Sequence, residues 1–83
     1  MYRVEDAEQV ADQVDALPGE ALAAFAELRV ALETAPWAGE AFRRDRGTDG
    51  TMRTLPFGGA GFAVYLILEQ QRRVVILEVI WLG

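Results

Sequence analysis

Apolar residues recur along the first third of the chain at the spacing of a helix face. Ala7, Val10, Ala11, Val14 and Leu17 make one stripe, and Ala21, Leu22, Phe25, Leu28 and Leu32 make a second. Asp6 reads as an N-cap, with Gln9 three residues on completing a capping box. Pro18 closes the first helix and suits the first turn of the next, where Glu20 complements the helix dipole. Pro36 ends the second helix. Two helices joined by so short a link form an antiparallel hairpin. Ahead of them, Tyr2-Arg3-Val4 is a candidate first strand.

Between residues 37 and 50 the pattern lapses. Trp37 and Phe42 stand as isolated anchors among Gly, Arg and Asp, which reads as a loop. The period then changes to that of strands, over 52–57, 62–69 and 73–82. Pro56 suits a sheet edge because it lacks an N–H. Gly58 to Gly61 reads as a turn, and Gln70-Gln71 as a two-residue hairpin connection. That connection pairs Glu69 with Arg72, Leu66 with Val75, Val64 with Leu77 and Phe62 with Val79. One face then carries Phe62, Val64, Leu66, Val75, Leu77, Val79 and Trp81, and is wholly apolar. The other carries Ala63, Tyr65, Ile67, Ile76 and Glu78. The expectation is that the helical hairpin covers the first face and leaves the second half open.

Composition narrows what such a domain does. The 83 residues are 52% hydrophobic and 25% charged, the profile of one globular domain over 1–83. The chain contains no Cys, His, Lys, Ser or Asn. Disulfides, the usual zinc sites, serine triads, Schiff bases and phosphate-loop lysines are thereby excluded. No metal or cofactor is expected. The Gly58–Gly61 stretch runs strand to strand rather than into a helix N-terminus, so it is a hairpin turn and not a nucleotide loop. Asp45 and Asp49 lack the spacing of a calcium loop and read as turn residues. A charged N-terminus and the absence of any long apolar run argue against a signal peptide or a membrane span, and for a cytoplasmic protein.

The net charge of −5 is unevenly spread. Residues 1–40 hold nine acids against Arg3 and Arg29, whereas residues 41–83 hold six arginines against four acids. The strand half is therefore the positive one. Arg43, Arg44, Arg46, Arg72 and Arg73 are candidates for a phosphate-contacting patch, because a meander returns the Gln70-Gln71 turn to the end where the first long strand starts. The alternative is a solvated turn with acids close by. On the half-open face, Tyr65 and Glu78 lie diagonal to each other and are a candidate acid/base pair. The bland alternative has Tyr65 packing on the sheet and Glu78 taking an Arg. Ile76, Ile80 and Leu82 would line the outer side of the last strand, with Trp81 as core or as an interface anchor. So bare an aliphatic strand calls for a partner segment or a homodimer.

The order strand, helical hairpin, three-stranded meander resembles the RelE/ParE superfamily of bacterial toxin–antitoxin toxins. The residues that carry the resemblance are Tyr2-x-Val4, Leu17-Pro18 followed by Leu32 and Pro36, Arg53-Thr54-Leu55, Tyr65-Leu66-Ile67, and Val75-Ile76-Leu77-Glu78-Val79. Phe62 departs from the pattern, standing where the family usually has an arginine. The resemblance implies an α+β fold, with an N-terminal strand and helical hairpin packed on a small, mainly antiparallel sheet of three to four strands. It implies a toxin bound by a cognate antitoxin. In the RelE branch it further implies metal-independent cleavage of mRNA on the ribosome, with a ribose 2′-hydroxyl attacking the adjacent phosphate. The ParE branch acts on DNA gyrase through protein contacts instead. Arg53 matches a family functional position and is the candidate phosphate-binding or catalytic arginine, beside Tyr65 and Glu78. The sequence leaves open which face Arg53 occupies.

Overall fold

A computed structural model describes residues 1–41 and 51–83. The described chain runs β1 (Arg3–Asp6), α1 (Val10–Asp15), α2 (Gly19–Thr34), β2 (Glu40–Ala41), β3 (Met52–Phe57), β4 (Gly61–Leu68) and β5 (Arg73–Trp81). The sheet has five strands in the order β1-β5-β4-β3-β2. Only β1 runs parallel to its neighbour, with Val4 opposite Val74; the other pairings are antiparallel. The α+β class stands, with more strands than the three to four expected. The extra one is β2, in the stretch that reads as a loop. Its two residues pair Glu40 with Thr54 and Ala41 with Arg53.

Both helices lie on one face of the sheet. Val10, Leu17, Ala21, Phe25, Leu28 and Leu32 bury there against Phe57, Ala63, Tyr65, Ile67, Val74, Ile76 and Val79. Phe25 meets Phe57 edge to face, with ring centroids 5.6 Å apart. The helix side of the sheet is therefore the reverse of the one expected. It carries Ala63, Tyr65, Ile67 and Ile76, whereas Phe62, Leu66 and Val75 point to the outer side. Both faces of β4 are apolar, so alternation alone does not choose between them. The Tyr hydroxyl that marked the open side is accommodated because a buried O–H needs only one well-placed acceptor.

The hairpin register holds near the turn and slips beyond it. Leu66 pairs with Val75 as expected, but Val64 pairs with Glu78 and Phe62 with Ile80. Leu77 is the extra residue of a β-bulge in β5. The bulge brings Val79 and Trp81 round to the helix side. The connection is a 3₁₀ turn over Glu69–Gln71. Arg72 closes it in the left-handed conformation at φ 53°. Glu69 and Arg72, expected as the first ladder pair, meet instead as an ion pair at 2.8 Å.

The first helix starts later than expected. Asp6 ends β1, and its carboxylate takes Arg29 of α2 at 2.5 Å. No side chain caps α1, because the Gln9 amide donates to the Leu77 carbonyl instead. The outer edge of β1 is closed by α2: the Tyr2 N–H donates to the Glu33 carbonyl, and Arg29 reaches the Val4 carbonyl. Those contacts partly cover an edge that would otherwise offer its backbone groups to another strand.

Candidate functional site

One end of the sheet gathers polar side chains from four separate stretches of chain. After α2, Pro36–Ala38 forms a 3₁₀ turn that sets Trp37 at the surface, 40% exposed. Two side chains from the sheet hold this turn. The Tyr65 hydroxyl donates to the Pro36 carbonyl at 2.6 Å, and Arg53 Nη1 donates to the carbonyls of Gly39 and Trp37 at 2.6 and 3.2 Å. Arg53 also lies over the Trp37 ring, 4.8 Å from its centroid. Gly39 is required here: a Cβ would overlap the Tyr65 hydroxyl and the Thr54 carbonyl.

Beside the turn, the Glu69 carboxylate accepts three donors. Tyr2 Oη donates at 2.6 Å and Trp37 Nε1 at 3.0 Å, both to Oε1. Arg72 Nη1 donates to Oε2 at 2.8 Å, and also reaches the Tyr2 hydroxyl at 3.2 Å. The Arg72 guanidinium stacks over the Tyr2 ring at 4.7 Å. The Tyr2 and Trp37 hydrogen bonds, with Arg72 behind them, hold the Glu69 carboxyl below its ordinary pKa. Next along the sheet, Arg73 Nη2 pairs with Glu5 of β1 at 2.7 Å. That hydrogen bond, with the nearby charges of Arg73 and Arg3, lowers the Glu5 pKa and raises that of Arg73.

The candidate catalytic residues do not converge. Arg53 and Tyr65 face each other across β3 and β4 on the helix side. Tyr65 is fully buried, and that burial pushes its phenol above the ordinary value. Glu78 is exposed on the outer side opposite Val64, so the expected diagonal contact between Tyr65 and Glu78 is not formed. The bulge at Leu77 is the cause, since it turns Glu78 away from the Tyr65 face. Arg72 and Arg73 do lie at one sheet end, each with a carboxylate partner. Arg43, Arg44 and Arg46 fall outside the described residues.

The candidate partner surface is likewise divided. Ile76 is fully buried under the helices rather than lining the outer side. Trp81 packs on Phe57 at 5.9 Å, on the helix side. Ile80 is half-buried on the outer side, and Leu82 is 75% exposed. Nothing in the sequence singles out Tyr2 or Glu69 for this end of the sheet. Trp37 carried the available signal, as an isolated aromatic residue in a polar stretch.

A five-stranded sheet with the first strand parallel to the last, and a helical hairpin on one face, is the fold of the RelE toxins. The chain matches the Mycobacterium tuberculosis toxin–antitoxin complex RelBE2 at TM-score 0.80 and 24% identity, covering 96% of each chain. It matches the isolated Escherichia coli RelE toxin at TM-score 0.79 and 14% identity, covering 100% of this chain and 86% of that one. The archaeal RelE–RelB complex of Pyrococcus horikoshii matches at TM-score 0.71 and 24% identity, covering 99% and 96%. No family model and no curated protein matches the chain in sequence. Among the described residues, no helix is long and apolar enough to cross a membrane.

Proposed function

We propose that the chain is the toxin of a type II toxin–antitoxin pair, held inactive by a cognate antitoxin and released to arrest growth. The observation that carries this reading is the likeness, over essentially the whole chain, to RelE proteins whose structures include complexes with a RelB antitoxin. The outer side of the sheet supports it. Phe62, Leu66, Leu68, Val75 and Ile80 are half-buried there, and no helix among the described residues covers them. A partner segment laid over that side would remove a row of apolar side chains from water.

The finer reading is metal-independent cleavage of mRNA on the ribosome, in the cytoplasm. The strand half carries the positive charge, and Arg53, Arg72 and Arg73 stand at one sheet end. Ala41, opposite Arg53, and Thr51, whose carbonyl accepts the Ile67 N–H, bracket the stretch that carries Arg43, Arg44 and Arg46 in sequence. In this reading Arg72 and Arg73 neutralise phosphate, while Glu78, exposed on the outer side opposite Val64, stands away from that end of the sheet and takes no part in proton transfer there. Arg53 and Tyr65 act as positioning residues through the 36–39 turn. A second reading is action through protein contacts alone, as a gyrase inhibitor or an inert relative. It is favoured by Arg72 and Arg73 being tied to Glu69 and Glu5 and by the burial of Tyr65.

Induced expression in a bacterial host separates these. Growth arrest relieved by the protein encoded beside it, with translation-dependent cuts in mRNA, is the expected result. Arrest with intact mRNA and blocked DNA supercoiling selects the second reading. No arrest removes the toxin proposal. Arg53→Ala is expected to abolish arrest while the chain stays folded, as read by circular dichroism.

A further inference from the structure

The Glu69 carboxylate is bound as an anionic ligand is bound. Two of its donors come from distant stretches, Tyr2 at the chain start and Trp37 after α2, and the third, Arg72, lies three residues on in the same β4–β5 turn. One arginine suffices to pair a surface carboxylate, yet here a hydroxyl, an indole N–H and a guanidinium all converge on it. That donor set is what an oxyanion with several acceptor oxygens uses. Glu69 is about half exposed, with side-chain exposure of 47%, so it can swing into water without burying an unpaired charge. On its other side Glu69 borders an open groove with Thr51, Ile67, Leu68 and Gln70, into which its carboxylate can turn when it leaves the three donors. Arg72 also stacks over the Tyr2 ring and reaches its hydroxyl at 3.2 Å, contacts that do not involve Glu69.

We propose that Tyr2, Trp37 and Arg72 form a phosphate-binding subsite that the protein fills with its own Glu69 carboxylate. The ligand class is a phosphoryl group, and Glu69 competes with it for the same donors. The depressed pKa of Glu69 agrees with a carboxylate that stays charged in that role at neutral pH. The inference concerns anion binding only, so it stands or falls separately from the growth assay.

The test is titration of the full chain with inorganic phosphate at constant ionic strength, read by the NMR signal of the Trp37 indole N–H. Glu69→Ala is expected to give a saturable shift of that signal, at an affinity at least tenfold above wild type, while the Trp81 indole stays put. Adding Arg72→Ala is expected to weaken binding at least tenfold. Glu27→Ala removes the same charge from an exposed position on α2 and is expected to bind no better than wild type. Glu69→Gln guards against loosening of the turn, because the amide oxygen still accepts from Tyr2 and Trp37 while the charge on Arg72 is released; it is expected to bind more tightly than wild type. An RNA tetranucleotide without a terminal phosphate, binding Glu69→Ala as tightly as inorganic phosphate does, would assign the subsite to a nucleic-acid backbone. Failure of the tetranucleotide beside successful phosphate binding would assign it to a free or terminal phosphate. The proposal is overturned if neither Glu69 variant binds phosphate above the wild-type level, or if Arg72→Ala leaves the affinity unchanged.

Discussion

The side-chain oxygen of Gln13 accepts the backbone N–H of Val79 at 2.7 Å, joining α1 to the last strand. One helical turn earlier, Gln9 donates to the Leu77 carbonyl at 2.5 Å. Both strand groups lie at or beside the bulge, where the ladder to β4 is interrupted. Gln13 of α1 and Gln9 just ahead of it thus serve backbone groups at the point where the sheet is irregular.

Gln13→Ala is therefore expected to cost about 1–2 kcal/mol, the penalty for leaving a part-buried N–H without its acceptor. Gln9→Ala is expected to cost less, because water reaches the exposed Leu77 carbonyl in its place. Urea denaturation midpoints at unchanged m-value measure both.

Gly39→Ala is expected to destabilise by about 1–3 kcal/mol, since the new methyl meets the Tyr65 hydroxyl and a strand carbonyl that has nowhere to go. Tyr65→Phe alone is expected to cost about 1–2 kcal/mol by orphaning the Pro36 carbonyl. The double variant is expected to cost less than the sum, because removing the hydroxyl relieves part of the clash. A double-mutant cycle by chemical denaturation reads the coupling, and strict additivity would sink the close-approach argument.

Alkaline titration bears on the same residue. Burial raises the Tyr65 pKa above the ordinary phenol value of about 10. Below that value neither the folded nor the unfolded chain ionises this group, and its contribution is complete. Above it the unfolded chain ionises first, so stability falls as pH rises toward the folded pKa. Phenolate absorbance from Tyr65 is expected to appear together with unfolding, and Tyr65→Phe is expected to flatten that part of the curve.

At the acid end, Glu5 has the opposite sign. Its hydrogen bond with Arg73 lowers its pKa below the ordinary 4.5. The stabilising contribution is present above that value and is lost as pH falls through the lower folded pKa. Glu5→Gln is expected to make stability less steep in pH below about 4.5, as measured by thermal midpoints across an acid series. High salt is expected to reduce the wild-type effect, since the pair is partly exposed.

Much of the architecture is legible in the residues. The stripes at Val10, Leu17, Phe25, Leu28 and Leu32 give both helices and their buried side. Pro18 and Pro36 punctuate them, and the glycines of 58–61 place the β3–β4 turn, with Gly58 and Gly59 at positive φ. The candidate site is less legible, because a regular register joins Tyr65 and Glu78 on one face and the bulge separates them. A bulge is one unpaired residue, and nothing in Val75-Ile76-Leu77-Glu78-Val79 marks where it falls. Nor does a lone Tyr2 or Trp37 announce that both will bind Glu69, since these contacts close loops of 67 and 32 residues.

By itself the sequence determined the order of the helices and of the longer strands, their periods and the hairpin register at Leu66 and Val75, because each depends on neighbours within a few residues. Tertiary structure decided which face of β4 is covered, that β1 lies parallel to β5, and that Arg53 turns toward the 36–39 turn. Those outcomes rest on competition between two apolar faces of nearly equal hydrophobicity. The balance is settled by partners far along the chain: a carbonyl of the Pro36 turn for the Tyr65 hydroxyl, and Gln9 and Gln13 at and within α1 for the bulged strand.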